Sequence, residues 1–494
     1  MKGDGSPHVV IFGGGPAGLT AAWELTARGV PTQILEADPV TLGGIAQTAS
    51  YKGFRFDIGG HRFFTKAPEV KRVWHEILAD DDWLQVERMS RIYYRGKFFN
   101  YPLKPLNAFR NLGVWETILC VASYARARVF PTKPERSVED WVSNRFGRRL
   151  YGIFFKTYTE KVWGMPCSEI SADWAAQRIK GLSLLTSIKN AVMPQRKPKD
   201  GGEVIKTLIE EFEYPKLGPG MMWERAAEQV QEKGAALHMG ARVASLLHKD
   251  GALVEVRAEG GGEGVFRGTH FISSIPMREL VHILEPPPPP EVLRAADALS
   301  YRDFLTVVLV VNRDKLFPDN WIYVHDTSVK LGRVQNFKNW SPYMVPDPEK
   351  SALGLEYFCN EGDELWDMAD EDLIALGSRE IAQLGLADVA DIEDGTVVRM
   401  RKAYPVYDEH YQTNVGVIRS YLAENLPNLQ LVGRNGMHKY NNQDHSMMTA
   451  LLAARNICGE HWDPWKVNTD AEYHEEEREG ADVAGRLVPR ALKD

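Results

Sequence analysis

Near the start of the chain, four consecutive apolar residues, Val9 to Phe12, run into Gly13-Gly14-Gly15-Pro16-Ala17-Gly18. A stripe of Leu19, Ala22, Trp23 and Leu25 at helical spacing follows, closed by Gly29. The pattern predicts a buried strand, a glycine turn and an amphipathic helix. A second apolar run, Gln33-Ile34-Leu35, ends in Glu36, eighteen residues past Gly18. Strand, GxGxxG, helix, strand and acid in this order form a dinucleotide-binding βαβ unit. Gly13 makes the tight turn, Gly15 lets the backbone approach a pyrophosphate, and Gly18 lets helix and strand pack closely. Pro16 and Ala17 open a helix whose free N–H groups face the phosphates, and Glu36 accepts from a ribose hydroxyl.

Farther along, Gly43-Gly44 and Gly59-Gly60 flank a strand-like alternation, which points to close passage of backbone past a bound cofactor. Residues 81–101 alternate like strands and are rich in aromatic and Arg residues. Amphipathic segments at Trp115–Val129, Val138–Phe146 and Leu150–Val162 predict an inserted helical unit, with a polar break at 197–201. A helix from Met222 to Lys233 and strands at Ala236–His238, Leu253–Arg257 and His270–Ser273 return to the first unit. Pro286 to Pro290 predict a stiff polyproline connector. Strands follow at Leu305–Val311, Trp321–Tyr323, Gly332–Phe337, Ala352–Phe358, Val397–Arg401 and Leu429–Gly433, with a helix near Asp370–Leu384. The fold class expected is α/β: a discontinuous Rossmann-like domain (8–80, 214–285 and 395–460), a mixed or antiparallel β-sheet domain (81–104 and 291–394), an inserted helical domain (105–213) and a polar tail (461–494).

Composition narrows the reading. With 494 residues, two or three domains are expected, and 44% hydrophobic with 26% charged residues is ordinary for a globular chain. A net charge of −8 argues against general nucleic-acid or anionic-membrane binding. No apolar run is long enough to span a bilayer, and MKGDGSPHVV lacks a secretory pattern, so a cytoplasmic location is expected. Cys120, Cys167, Cys359 and Cys458 are scattered without a CxxC pair, which gives free thiols and no metal site.

With these residues in view, the chain resembles the flavoprotein superfamily that holds UDP-galactopyranose mutase, protoporphyrinogen oxidase and the amine oxidases, and most of all the mutases. The similarity spans about residues 8–460. It implies FAD as the dinucleotide, with Gly13, Gly15, Pro16, Ala17, Gly18, Glu36, Ala37 and Val243 at its nucleotide half. Gly43, Gly44, Gly59, Gly60, His61, Gly433, Arg434, Asn442, Gln443 and Ser446 are implied at or near the flavin. The segment Lys161-Val162-Trp163 with Arg178, and Trp321-Ile322-Tyr323 with Arg333, are similar to the segments that carry the mutases' two phosphate-binding arginines. Tyr404 and Tyr440 match tyrosines on the diphosphate. Arginine forks suit phosphate oxygens in a bidentate way, and tyrosine hydroxyls add neutral donors.

The resemblance therefore implies Arg178, Arg333, His61 and Arg434 as catalytic residues. Trp163, Tyr158, Thr159, Lys104, Trp321, Tyr323, Trp340, Tyr404 and Tyr440 are implied around the substrate. The pattern departs from the family at Trp340, Lys104 and Thr159, which leaves the nucleotide base and the sugar open. The implied activity is interconversion of pyranose and furanose forms of a sugar nucleotide, by covalent catalysis of reduced flavin N5 at the anomeric carbon. NAD(P)H is the candidate reductant. The competing expectation is an FAD oxidoreductase that takes a hydride from an amine, polyene or porphyrin-like substrate, because one scaffold hosts all of these.

Overall fold

A computed structural model describes residues 7–172, 174–175 and 211–468. Its first sheet is parallel and five-stranded, in the order Leu429–Leu431, His270–Ser273, Val9–Phe12, Thr32–Leu35 and Ala236–His238. All four residues of Val9–Phe12 are buried, as a central parallel strand covered on both faces requires. Alternation divides them. Val9 and Ile11 enter the core formed with the helices Pro16–Ala27 and Gln443–Ile457, while Val10 and Phe12 enter the core shared with the strands Arg242–Lys249 and Ala252–Glu259.

The second large sheet has seven strands, in the order Ile392–Pro405, Tyr301–Val311, Ser351–Cys359, Arg333–Asn336, Trp321–Val324, Ser90–Tyr94 and Lys97–Asn100. All neighbours are antiparallel except Trp321–Val324 against Ser90–Tyr94. Ile322, Val324, Val334, Leu355 and Tyr357 point to a core that the helix Asp370–Gln383 closes with Leu373 and Ile381. The pleat therefore turns Trp321, Tyr323, Arg333, Gln335 and Glu356 to the opposite face. Register keeps them together, since Trp321 lies opposite Gln335, Tyr323 opposite Arg333, and Arg333 opposite Glu356.

The inserted unit holds a helix Pro105–Val129 broken at Gly113, and a helix Val138–Tyr151 broken at Gly147. Ser137 and Asp140 form a capping box at the start of the latter. A π-helical turn, Gly152–Lys156, leads into Thr157–Trp163. Lys161 staples this unit to the sheet, because its Nζ donates to the carbonyls of Asp326 at 2.5 Å, Leu331 at 2.9 Å and Val324 at 3.4 Å.

Several boundaries differ from those expected. Residues 395–405 belong to the seven-stranded sheet, where Ile392–Pro405 pairs along Tyr301–Val311, and not to the dinucleotide-binding unit. Trp83–Glu87 pairs with Glu211–Pro215 in a separate two-stranded ribbon and leaves the large sheet. The proline run is shorter as a connector than expected, because Pro290 opens the helix Pro290–Asp297, where a missing N–H costs nothing. Residues 461–468 of the expected tail instead pack on the first unit, where Val467 is buried beside Trp462; the rest of the tail and the expected break at 197–201 lie outside the described residues.

Candidate active site

The nucleotide half of the site is built from bare backbone. Gly13 has φ +99°, and a Cβ on Gly18 would stand 1.9 Å from the Gly13 carbonyl oxygen, so neither position accepts a side chain. Gly15 caps the helix Pro16–Ala27, with Pro16 at its first turn. A Cβ on Gly15 would meet nothing nearer than the Gly43 oxygen and Gly44 nitrogen at 3.8 Å, so two glycine loops face each other across open backbone. Gly43 is tied there by its N–H, which donates to Gly14 O at 3.0 Å.

Glu36 accepts from the N–H of Gly14 at 2.5 Å and of Asp38 at 2.8 Å. Burial lifts its carboxyl above the usual range against those two bonds. Ala37 and Val243 line the same groove as Gly13 and Glu36.

Past the helix N-terminus the groove gives way to a cleft of about 370 Å³ between the two large sheets and the helical unit. At its floor, Gln443 Oε1 accepts from Trp223 Nε1 at 3.1 Å. An indole N–H only donates, so this bond fixes the amide orientation and turns Gln443 Nε2 to the cleft. That nitrogen is buried and has no partner among the described residues. Asn442 caps the same helix and also lines the cleft, whereas Ser446 is buried one turn inside and does not. Gly433, at φ +79°, passes over Ala17 and donates to Thr449 Oγ1. Arg434 follows it. Its Nε donates to Asn441 O at 2.8 Å and Nη1 to Ala403 O at 3.0 Å, and its guanidinium lies 5.0 Å from the Tyr440 ring.

His61 sits beside these groups, following Gly59 at φ +88°. Its Nδ1 donates to the Gly59 carbonyl at 3.0 Å, so Nε2 carries a lone pair. Burial, then the charges of Arg434 and Arg333, push its pKa down to about 3. Gly60 backs onto Gln335 and Trp340, where a Cβ would fall 2.8 Å from Gln335 Nε2.

Across the cleft, Arg333 Nε and Nη2 both donate to Glu356 Oε2, at 2.9 Å and 2.5 Å, while Gln335 Nε2 donates to Oε1 at 2.8 Å. Glu356 is fully buried. Burial alone would lower the Arg333 pKa, but Glu356 holds it well above its ordinary value. Nη1 is left without a partner among the described residues. Tyr158 and Tyr404 stand near this guanidinium. Tyr404 and Tyr440 stack at 5.5 Å, and Tyr158 packs edge-on to Tyr323 at 5.3 Å and stacks on His325 at 5.1 Å. Burial pushes the Tyr158 and Tyr404 phenols up, so both remain neutral donors.

Trp163 packs against Tyr404 and Tyr440, and Trp321 against Trp340. The Trp340 N–H is committed to Asn320 O at 2.9 Å, while the Trp163 and Trp321 indoles have none among the described residues. Thr159 is buried on the wall. One expected substrate residue is not brought to the cleft, and one falls outside the described residues. Lys104 is exposed where it precedes the helix Pro105–Val129 and does not line the cleft, and Arg178 lies outside the described residues.

The structure adds Gln335, Glu356, Tyr101, Phe154, Trp174 and Asp444 to the site. Period-2 reading from Arg333 reaches Gln335. Glu356 needs the register of a strand that no local pattern supplies.

A glycine cradle at a parallel-sheet switch point, opening into a polar-aromatic cleft, defines an FAD-dependent enzyme of the oxidoreductase superfamily. The chain belongs to the flavin containing amine oxidoreductase family, whose model matches residues 16–458. It is 22% identical over 465 residues to coproporphyrinogen III oxidase of Bacillus subtilis (strain 168), with 87% of this chain and 94% of that protein covered. The crystal structure of reduced UDP-galactopyranose mutase superposes with a TM-score of 0.78 at 22% identity, over 92% of this chain and 96% of that one. A structure from Exiguobacterium sp. 255-15 assigned as a protoporphyrinogen oxidase gives 0.67 at 17%, over 91% and 98%. These structures establish the shared fold. The open glycine strip, the half-buried Glu36 and the unpartnered Gln443 Nε2 fit FAD, since each offers what a pyrophosphate, a ribose and a flavin acceptor require.

Proposed function

We propose that this enzyme interconverts the pyranose and furanose forms of a nucleoside-diphosphate hexose. One observation carries the reading: the largely buried guanidinium of Arg333 is clamped by Glu356 in a cleft lined by tyrosines, with the neutral phenols of Tyr158 and Tyr404 close to it. Such a surface matches phosphate oxygens, because it offers one fixed, charged N–H group and several uncharged donors. Reduced FAD, once bound, supplies a nucleophile for the anomeric carbon without net redox change.

The chain's own residues bind and orient. Arg333 with Tyr404 and Tyr440 holds the diphosphate as it takes up charge, an effect on the scale of about 10²–10³-fold for a well-placed donor. His61 is too acidic to act as a strong base near neutrality, so its Nε2 orients a sugar hydroxyl as an acceptor. Trp163, Trp321 and Trp340 wall the sugar from water. NAD(P)H is the reductant in this scheme, visiting the same cleft.

A polycarboxylated tetrapyrrole is the rival substrate, since arginine and aromatic walls also accept propionates and one curated relative is a coproporphyrinogen III oxidase. The deciding experiment incubates dithionite-reduced, FAD-loaded protein with UDP-galactopyranose and other nucleotide sugars, without oxygen, and follows furanose formation by anion-exchange chromatography and NMR. Furanose from the reduced and not the oxidised enzyme is expected. Absence of nucleotide binding, together with reduction of the oxidised enzyme's flavin by coproporphyrinogen, would overturn the proposal.

A further inference from the structure

The helix Pro105–Val129 is amphipathic the wrong way round for a helix that ends at water. Its inner side packs Cys120 among Ile92, Phe99, Ile153 and Phe154, and its backbone at Tyr124 meets Gly147, where a Cβ would lie 2.6 Å from the Tyr124 nitrogen. Its outer side is apolar and exposed. After the break at Gly113, residues Val114, Trp115, Ile118, Val121, Val129 and Phe130 are all exposed, Trp115 by 75% and Phe130 by 76%. At about 100° per residue they spread over roughly half of the helix circumference, with Ala122 and Ala125 among them and Arg126 as the lone charge. Exposed apolar surface concentrated in one stretch marks an interaction face.

What covers it follows from the charges. Arg126 and Arg128 are exposed on this segment, Arg110 and Lys133 are exposed before and after it in the chain, and none makes an ion pair among the described residues. The acid on the same helix, Glu116, is engaged by Arg149 Nη2 at 2.8 Å. A second copy of the chain packed by two-fold symmetry would set these cations against their own kind, with no free carboxylate on the helix to receive them. An anionic bilayer surface satisfies both features, taking tryptophan, isoleucine, valine and phenylalanine into the headgroup boundary and the cations at phosphate level.

We propose that this helix docks the protein on an anionic lipid surface. Among the described residues no helix is long and apolar enough to cross a membrane, so the mode is peripheral. A net charge of −8 over the whole chain does not prevent this locally, because a screened surface field is set by charges within about 10 Å. Phe154, Ile92 and Tyr323 of the packing cluster also line the cleft, so the docked helix backs onto the cleft wall. The inference does not depend on which substrate the cleft takes.

The test is flotation of the full-length, FAD-loaded protein with vesicles of phosphatidylcholine alone and of phosphatidylcholine mixed with phosphatidylglycerol. Flotation with the mixed vesicles, reversed by high salt, is expected. Trp115→Asp/Ile118→Asp should lower the vesicle-bound fraction by at least about tenfold, and each of Arg126→Glu and Arg128→Glu by about fivefold. Retained flavin absorbance and far-ultraviolet circular dichroism verify folding. Should the apolar double variant not fold, the variants at the exposed arginines carry the test. Absence of flotation overturns the proposal, as does equal flotation of parent and variants. A solution dimer that Trp115→Asp/Ile118→Asp dissolves, with no vesicle binding by the parent, assigns the face to a second copy and overturns it as well.

Discussion

Replacing Arg333 by Met separates two roles of one side chain. On the folding side, the change strands Glu356, which is fully buried and whose Oε2 loses both of its guanidinium donors. Breaking a buried pair from one end costs about 3–5 kcal/mol, because a charge remains without a partner. On the binding side, a hydrogen bond to a charged group is worth about 1.5–3 kcal/mol, which predicts a roughly 10- to 100-fold weaker dissociation constant for a nucleoside diphosphate. Adding Glu356→Gln removes the stranded charge, so the double variant should recover most of the lost melting temperature and none of the lost affinity. The assay is UDP titration into reduced, FAD-loaded protein, read by the flavin spectrum and by calorimetry. Thermal midpoints are compared at fixed protein and FAD concentrations, since a chain of several domains need not unfold in two states. A folded double variant that binds UDP within about threefold of the parent would refute the assignment of Arg333 to the phosphates.

Other expectations follow from single contacts. Gly18→Ala places a Cβ 1.9 Å from the Gly13 oxygen and should strip FAD from the purified protein; an unchanged ratio of flavin to protein absorbance would contradict it. Lys161→Met leaves three carbonyls without their donor, at about 1–3 kcal/mol each, and should lower the melting midpoint and open the helical unit to limited proteolysis, where an unchanged digest counts against the staple. His325 and His438 are buried neutral, with pKa values pushed down by burial to about 3 and about 4. Their unfolded forms bind protons below about pH 6.5 and the folded forms do not. Stability should therefore fall as pH drops from about 6.5 toward 4, by up to about 1.4 kcal/mol per pH unit for each histidine. Urea midpoints across that range should flatten in His325→Gln/His438→Gln, and an unaltered slope would exclude the two rings as the cause.

What the sequence disclosed follows the range over which each signal acts. The glycine turn, Glu36 and the strand Val9–Phe12 depend on neighbours within one βαβ unit, and local spacing reveals all three. Alternation likewise exposes Trp321 and Tyr323 as one face, because the pleat obliges every second residue to share a side. The orientation of the Gln443 amide could not be read, since Trp223 fixes it from a distant helix. Glu356 was invisible for a similar reason, as it meets Arg333 through the pairing of two strands. The strand Ile392–Pro405 was underread because its residues are mostly half-buried at a sheet edge, where Arg399, Arg401 and Lys402 interrupt the apolar pattern that marks Val397–Arg401. Lys104 was misplaced by analogy of position. The helix starting at Pro105 leaves it outside the cleft.

The charge within the cleft sets a further demand. Arg333 is offset by Glu356, His61 is neutral, and Arg434 has two of its nitrogens bound to backbone carbonyls while Asp444 lines the same wall. These groups together present little net positive charge, whereas a nucleoside diphosphate brings at least two negative charges. Tyrosine hydroxyls supply hydrogen bonds without neutralising them. A diphosphate-binding cleft of this composition therefore needs a further guanidinium that no carboxylate offsets, and Arg178, outside the described residues, is the residue whose segment resembles the mutases' other phosphate-binding arginine. Arg178→Ala should leave FAD bound and weaken UDP more than Arg333→Met/Glu356→Gln does, because it removes a positive charge, whereas the double variant removes a pair whose charges cancel. The loss should shrink as salt is raised, since screening weakens the part of the affinity that Arg178 supplies. Equal or smaller loss in Arg178→Ala, measured by the same titration, would mean that the cleft balances its ligand in another way and that the ligand is not a diphosphate.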